Sequence, residues 1–224
     1  MKQTEDINKI KAVVEYILQQ MGVAVDYIHL FKVMYFAQEE HLALYGAPIM
    51  YDTFVARKHG PVPSLTYKVL RVAEGKTMDV TDDLNAFASE LALNVTDGHQ
   101  VVSLAPGTEA DMDELSRSNV RILDKWIAHC KDIESFDLSE LSHDKAWQKA
   151  IRQTERTGED TKISLYDMAA SGGASKDMLK VVKERQINRN KAQYSVEYLS
   201  AQYLLMCIPT ATNAFGALSP ESAS

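Results

Sequence analysis

Between Asp26 and Gly46 the chain reads YIHLFKVMYFAQEEHLALY, and on a helix these residues are apolar on nearly every side. Leu30, Met34, Ala37, His41 and Leu44 share one face, and Ile28, Phe31, Tyr35, Leu42 and Tyr45 share the next. Only a narrow polar strip is left, through His29, Lys32, Glu39 and Glu40. A helix apolar around its girth must be surrounded by other elements, so the fold has to be built around this one. Asp26 supplies an N-cap oxygen and Gly46 a left-handed stop, which set its ends.

The neighbouring sequence supplies the elements to surround it. Ile7, Ile10, Val14, Ile17 and Met21 recur at helical spacing behind Thr4 and Asp6, with Gly22 as a stop, and predict an amphipathic first helix. After Gly46 the period changes, and Ile49 to Ala56 reads as an extended segment leading into Arg57-Lys58-His59-Gly60-Pro61-Val62-Pro63. The two prolines cannot sit inside a helix but can introduce one, so Ser64 is expected to cap a helix over Leu65 to Glu74, closed by Gly75. A short helix is expected over 84–90. Leu91–Val95 and Gln100–Leu104 flank Thr96-Asp97-Gly98-His99, the strongest hairpin signal in the chain.

Helices are expected to dominate again beyond Pro106 and Gly107. One should start at Asp111, with Glu114 completing a capping box, and run to Cys130. Another should cover Phe136 to Ala150 with Ser139 as its cap, followed by a charged loop over Arg152 to Lys162 and a short apolar element over Ile163 to Ala169. Ser171-Gly172-Gly173-Ala174-Ser175 reads as a linker. Past it come a basic helix, a stripe of Tyr194, Tyr198 and Tyr203 at helical spacing, and a loosely held tail from Pro209. The expected fold is mainly α, of the α+β class. It is a compact helical domain over 1–170 with a small β element, an extended segment plus a β-hairpin, and a C-terminal helical extension over 171–224.

Composition narrows the function classes. The formal charge of -7 disfavours a general nucleic-acid binder, because phosphate neutralisation needs clustered lysine and arginine. The charge is segregated, however: 176–191 holds six basic and two acidic side chains, whereas 1–175 carries a net -9. The basic stretch suits a solvated helix face or a surface for an acidic partner, and a DNA-binding autoregulator would use it too. Cys130 and Cys207 match no metal or redox spacing and read as reduced, packed thiols. The longest apolar run, Tyr203 to Ile208, is too short to span a bilayer, and MKQTEDINKIK lacks the apolar core of a signal peptide, so the cytoplasm is the expected compartment.

Catalytic signatures do not emerge. There is no glycine-rich phosphate loop, His-Glu-x-x-His helix, Cys-x-x-Cys pair or Gly-x-Ser-x-Gly turn. A metal-dependent hydrolase would need His41, His59 and His143 to meet in one pocket with Glu40 or Asp144. Taken singly, His41 reads as a hydrogen-bonded core histidine, and His143 is expected to pack on Trp147 one helical turn on.

Four segments in this order carry a resemblance. Lys32-Val-Met-Tyr-Phe-Ala-Gln38, His41-Leu-Ala-Leu-Tyr-Gly-Ala-Pro48, His59-Gly-Pro-Val62 leading to Tyr67, and Leu138 to Trp147 together resemble the Panacea domain of prokaryotic antitoxins, the family that includes phage-associated GepA-like and SocA-like proteins. The resemblance covers about residues 5–168. Glu39 stands where a small residue is common, and Lys58-His59 replaces an aromatic pair. What the resemblance implies is a non-enzymatic antitoxin that binds a toxin from an adjacent gene and needs no cofactor, or alternatively an adaptor that delivers the toxin to a protease. Tyr35, Phe36, His41, Tyr45, His143 and Trp147 are expected to be structural. Lys58, His59, Gly60 and Pro61 in the proline-bracketed loop, with Lys180, Lys183, Arg185, Tyr194 and Tyr198 on the extension, are the candidate contacts.

Overall fold

A computed structural model describes the backbone of residues 4–77, 80–96 and 98–206, and side chains over 7–77, 80–96 and 98–192. Helix α1 (Thr4–Met21) leads through β1 (Val25–Asp26) into α2 (Tyr27–Tyr45). Asp26 caps α2 by accepting from the His29 N–H, and Gly46 ends it at φ 62°, donating its N–H to the Leu42 carbonyl. Both ends therefore rest on local chemistry. Helix α2 packs against α1, α5 (Arg117–Cys130), α6 (Ser135–Leu141) and α8 (Leu165–Ser171), which makes it the centre of the core.

The polar strip on α2 is not solvated. Lys32 is 1% exposed and Glu39 8%, whereas Leu44, expected on the buried face, is 51% exposed. Helices α6 and α8 cover one side of the strip, so burial here follows the neighbours rather than the hydropathy of α2 itself.

The expected extended segment forms a strand only at β2 (Phe54–Arg57), which pairs with β3 (Gly60–Pro63) in a two-stranded antiparallel hairpin. Upstream, the Ile49 and Met50 N–H groups donate to Gln38 Oε1, so a side chain replaces the ladder. Helix α3 (Ser64–Ala73) is capped from a distance. Ser64 lies inside it, and the Asp52 carboxylate accepts from the Leu65 and Thr66 N–H groups. Helix α4 (Asp82–Ser89) precedes β4 (Leu91–Thr96) and β5 (His99–Leu104), which form the predicted hairpin with Gly98 at φ 80°. Strand β1 pairs with the other edge of β5, giving the order β1-β5-β4.

Two expected boundaries move. Asp111 caps only a 3-10 turn, Met112–Glu114, and the capping box lies at Ser116 and Asn119, which opens α5. The helix expected over Phe136 to Ala150 is two helices, α6 and α7 (Lys145–Thr157), and Asp144 caps the second while Ser139 is buried inside the first. Most of the expected charged loop is helical, and Gly158 at φ 74° ends it.

The Ser171–Ser175 stretch is a close-packed turn. The Ser171 hydroxyl accepts from the Ala146 N–H, Ala174 packs on the core, and a Cβ added at Gly172 would overlap the Glu39 backbone. Helix α9 (Lys176–Met206) follows, with Val182 buried and Leu179 against the core. Chain contacts define two units, Met1–Lys183 and Glu184–Ser224. Cys130 is buried, and its thiol is pushed up to about 12 by that burial. Cys207 and the tail from Pro209 lie outside the described residues.

Candidate functional site

Three polar residues of α2 hold the chain downstream of it, two on the loop that follows the helix and one on the β2–β3 hairpin. Gln38 uses its whole amide on Met50 and Ile49, since its Nε2 donates to the Met50 carbonyl at 2.7 Å while its Oε1 accepts the two N–H groups. His41 Nδ1 lies 2.7 Å from the Ala47 carbonyl, and its Nε2 lies 3.1 Å from both Ser118 Oγ and Asn119 Nδ2. Burial lowers the His41 pKa, so the neutral imidazole is the form that fits this pair of bonds.

Lys32 is the third. Its Nζ donates to the His59 carbonyl at 2.7 Å and to the Pro61 carbonyl at 3.1 Å, fastening the β2–β3 hairpin to the helix. Among the described residues no carboxylate pairs with this amine, and burial brings its pKa down to about 7. Gly60, at φ 95°, fits because a Cβ there would overlap Lys32 Nζ and Ser142 Oγ. The hairpin, Lys32 and the end of α6 thus meet at one point.

Beside this point lies a carboxylate pair. Tyr35 donates its hydroxyl to Asp144 Oδ2 at 2.8 Å, while Asp144 Oδ1 caps α7 through the Trp147 N–H. Glu39 is pushed up to about 10, first by burial and then by its hydrogen bond and repulsion with Asp144. Glu39 therefore carries its proton at neutral pH and acts as a donor towards Asp144. On the next turn His143 stacks on Trp147 with ring centroids 3.8 Å apart, and the Trp147 indole N–H donates to the Arg57 carbonyl at 3.0 Å. The hairpin is held from both sides.

The segments meeting here are those that carry the resemblance, and a comparison with family models matches residues 30–148 to the antitoxin SocA-like, Panacea domain, more than half of the chain. The chain belongs to the Panacea-domain antitoxin family. No curated protein and no solved structure matches it.

Within the Panacea body the expected structural residues occupy different places. Tyr35 and Phe36 are buried, and Phe36 stacks on Trp126 at 4.9 Å. His41 and Tyr45 form a ring pair at 4.7 Å at the far end of α2. The hydrolase geometry does not arise, because His41 is engaged with Ala47 and α5, His143 with Trp147, and His59 sits at the hairpin tip. Among the described residues no group of three His, Cys, Asp or Glu side chains could hold a metal ion.

Of the candidate contacts on the hairpin of the Panacea domain, Lys58 and His59 are exposed, whereas Gly60 and Pro61 are buried against Lys32. Lys180 is exposed and paired with Asp177 at 2.9 Å. Lys183 and Arg185 are exposed on α9, and the side chains of Tyr194 and Tyr198 lie outside the described residues. Lys32, Glu39 and Ser142 are not site residues in the sequence reading, and Asp144 enters it only as a possible carboxylate of the hydrolase pocket. A lysine on an otherwise apolar helix was the available signal for the first.

A second polar cluster sits at the start of α2. Ser135 Oγ donates to the Asp26 carboxylate, His29 Nδ1 lies 2.9 Å from Asp26 Oδ2, and His29 Nε2 lies 2.9 Å from the Ile133 carbonyl. Burial would raise the Asp26 pKa, but hydrogen bonds from His29 and Ser135 outweigh it and hold the carboxyl at about 2; the same bond raises His29. His29 Nδ1 also lies 3.3 Å from Ser135 Oγ, but both groups are closer to Asp26 Oδ2, which accepts from the serine hydroxyl and faces the imidazole at 2.9 Å. The cluster ties α2 to the α5–α6 turn.

Proposed function

We propose that the protein neutralises a toxin, encoded by an adjacent gene, by binding it directly. The observation that carries the reading is how the family's motif residues are used. Lys32, Gln38, His41 and the Trp147 indole give their hydrogen bonds to the chain's own backbone carbonyls, so the motif braces a body that presents surface. That use supports a binding protein over an enzyme and accords with the antitoxin family. The proposed setting is the cytoplasm, and no described helix is long and apolar enough to cross a membrane. Lys58 and His59 are proposed as contacts at the hairpin tip with Gly60 and Pro61 fixing its shape, and Lys180, Lys183, Arg185, Tyr194 and Tyr198 as contacts on the extension.

The test is expression of the adjacent reading frame alone and together with this chain. Growth should stop in the first case and recover in the second, with the two proteins co-purifying. An innocuous neighbour overturns the reading. Recovery that instead requires a host protease and is accompanied by loss of the toxin identifies the adaptor mode.

A further inference from the structure

The two most exposed large hydrophobic side chains among the described residues are Phe136, at 73%, and Val23, at 67%, and both line one cavity of about 920 Å³. It lies where the α1–β1 turn, the start of β5 and the α5–α6 turn meet, with Met21 and Ile28 among its apolar lining. Apolar side chains scattered singly over a surface need no explanation, but the most exposed pair sharing one concavity does. The rim is acidic. Asp132 and Glu134 stand on the α5–α6 turn against a single lysine, Lys131.

The groove is preformed. The Asp26–His29–Ser135 cluster fastens its wall to α6, and the His29 bond to the Ile133 carbonyl fastens the same wall to the turn. A sheet edge also opens into it. Strand β1 pairs with only Val101 and Val102, so the His99–Gln100 end of the β5 edge lines the cavity with no strand of the described residues paired to it on that side.

We propose that this groove seats the toxin, taking an extended segment in which an apolar side chain lies next to lysine or arginine; the inference rests on the antitoxin reading above. The apolar residue fills the cavity between Phe136 and Val23, the cation meets Asp132 and Glu134, and the extended backbone continues the sheet at His99 and Gln100. The net charge of -9 over 1–175 favours the approach of a basic segment.

The test uses the full chain in two arms. In the first, a random peptide library is selected on the wild-type protein and the enriched peptides are titrated against V23S/F136S and D132K/E134K. The enriched peptides should be basic and apolar, and each double variant should lower affinity about tenfold or more, with the wild-type affinity falling as salt rises. Unchanged melting curves check that the exposed substitutions leave the fold intact. Acidic peptides, or equal binding by V23S/F136S, overturn the inference. In the second arm the same variants are co-expressed with the adjacent reading frame. If wild type and variants neutralise equally, the groove is not the toxin seat although the antitoxin reading stands. If the wild type binds the peptides through the groove but the neighbour is harmless, the antitoxin reading fails and the groove remains a peptide site without an assigned toxin. A chain that dimerises as wild type and becomes monomeric as V23S/F136S shows the groove to be a self-interface and overturns the proposal.

Discussion

Lys32 Nζ lies 2.7 Å from the His59 carbonyl oxygen, so a buried amine on the central helix sets the position of the exposed hairpin tip. The bond is a geometric constraint on Gly60 as well, because the chain between His59 and Pro61 must pass directly over the amine. Gly60→Ala should therefore destabilise the protein by about 2–4 kcal/mol, through both the positive φ and the overlap with Lys32 and Ser142. Chemical denaturation measures this. A loss within error of zero would mean that the hairpin is not held over Lys32.

Glu39 gives a pH dependence of definite sign. A carboxyl whose folded pKa lies above its unfolded value binds a proton in the native state that the unfolded chain has already released. Stability is then lost as pH rises from about 4.5 to about 10. Glu39→Gln keeps a donor towards Asp144 and removes the titration. Its stability relative to wild type should grow by on the order of 3 kcal/mol between pH 5 and 8. Lys32, whose folded pKa is lowered to about 7, acts in the opposite sense above that pH in both proteins, so it cancels in the difference. Parallel stability curves for the two proteins would contradict a protonated Glu39.

Trp147 is half-buried, stacked on His143 and bonded to Arg57. Its replacement by alanine should cost about 2–3 kcal/mol, below the range for a fully buried tryptophan, and Trp147→Phe should cost about 1 kcal/mol for the lost indole donor. Thermal melts of the two variants separate the stacking from the hydrogen bond. Equal losses would assign the whole effect to the indole N–H.

The position of the cut decides what a C-terminal truncation does. Ending the chain at Lys183 keeps Ala174, Leu179 and Val182 on the core and should leave a cooperative melt, while abolishing or weakening neutralisation if the extension contacts the toxin. Ending it at residue 170 removes those three side chains and should lower stability by several kcal/mol, on the order of 1–2 per buried aliphatic residue lost. Full neutralisation by the chain ending at Lys183 would place the contacts elsewhere.

Sequence alone determined those features whose causes lie within a few residues. Helix α2 begins at Asp26 and ends at Gly46 because a side-chain cap and a left-handed glycine act on adjacent backbone, and the β4–β5 hairpin follows from a turn that tolerates positive φ at Gly98. The family motif was legible for the same reason, as short runs in a fixed order. Tertiary structure alone decided which polar residues lie inside. Lys32 and Glu39 belong to a strip that hydropathy assigns to water, yet the β2–β3 hairpin, the end of α6 and Gly172 cover them, and each contact joins residues far apart in the chain. The choice of caps obeys the same division. The local signal at Asp111 and Glu114 caps only a 3-10 turn, and α5 opens instead at Ser116 and Asn119, where Asn119 also meets His41 from α2. Burial and long-range hydrogen bonding depend on what packs against a residue, and that information belongs to the assembled fold rather than to any window of the sequence.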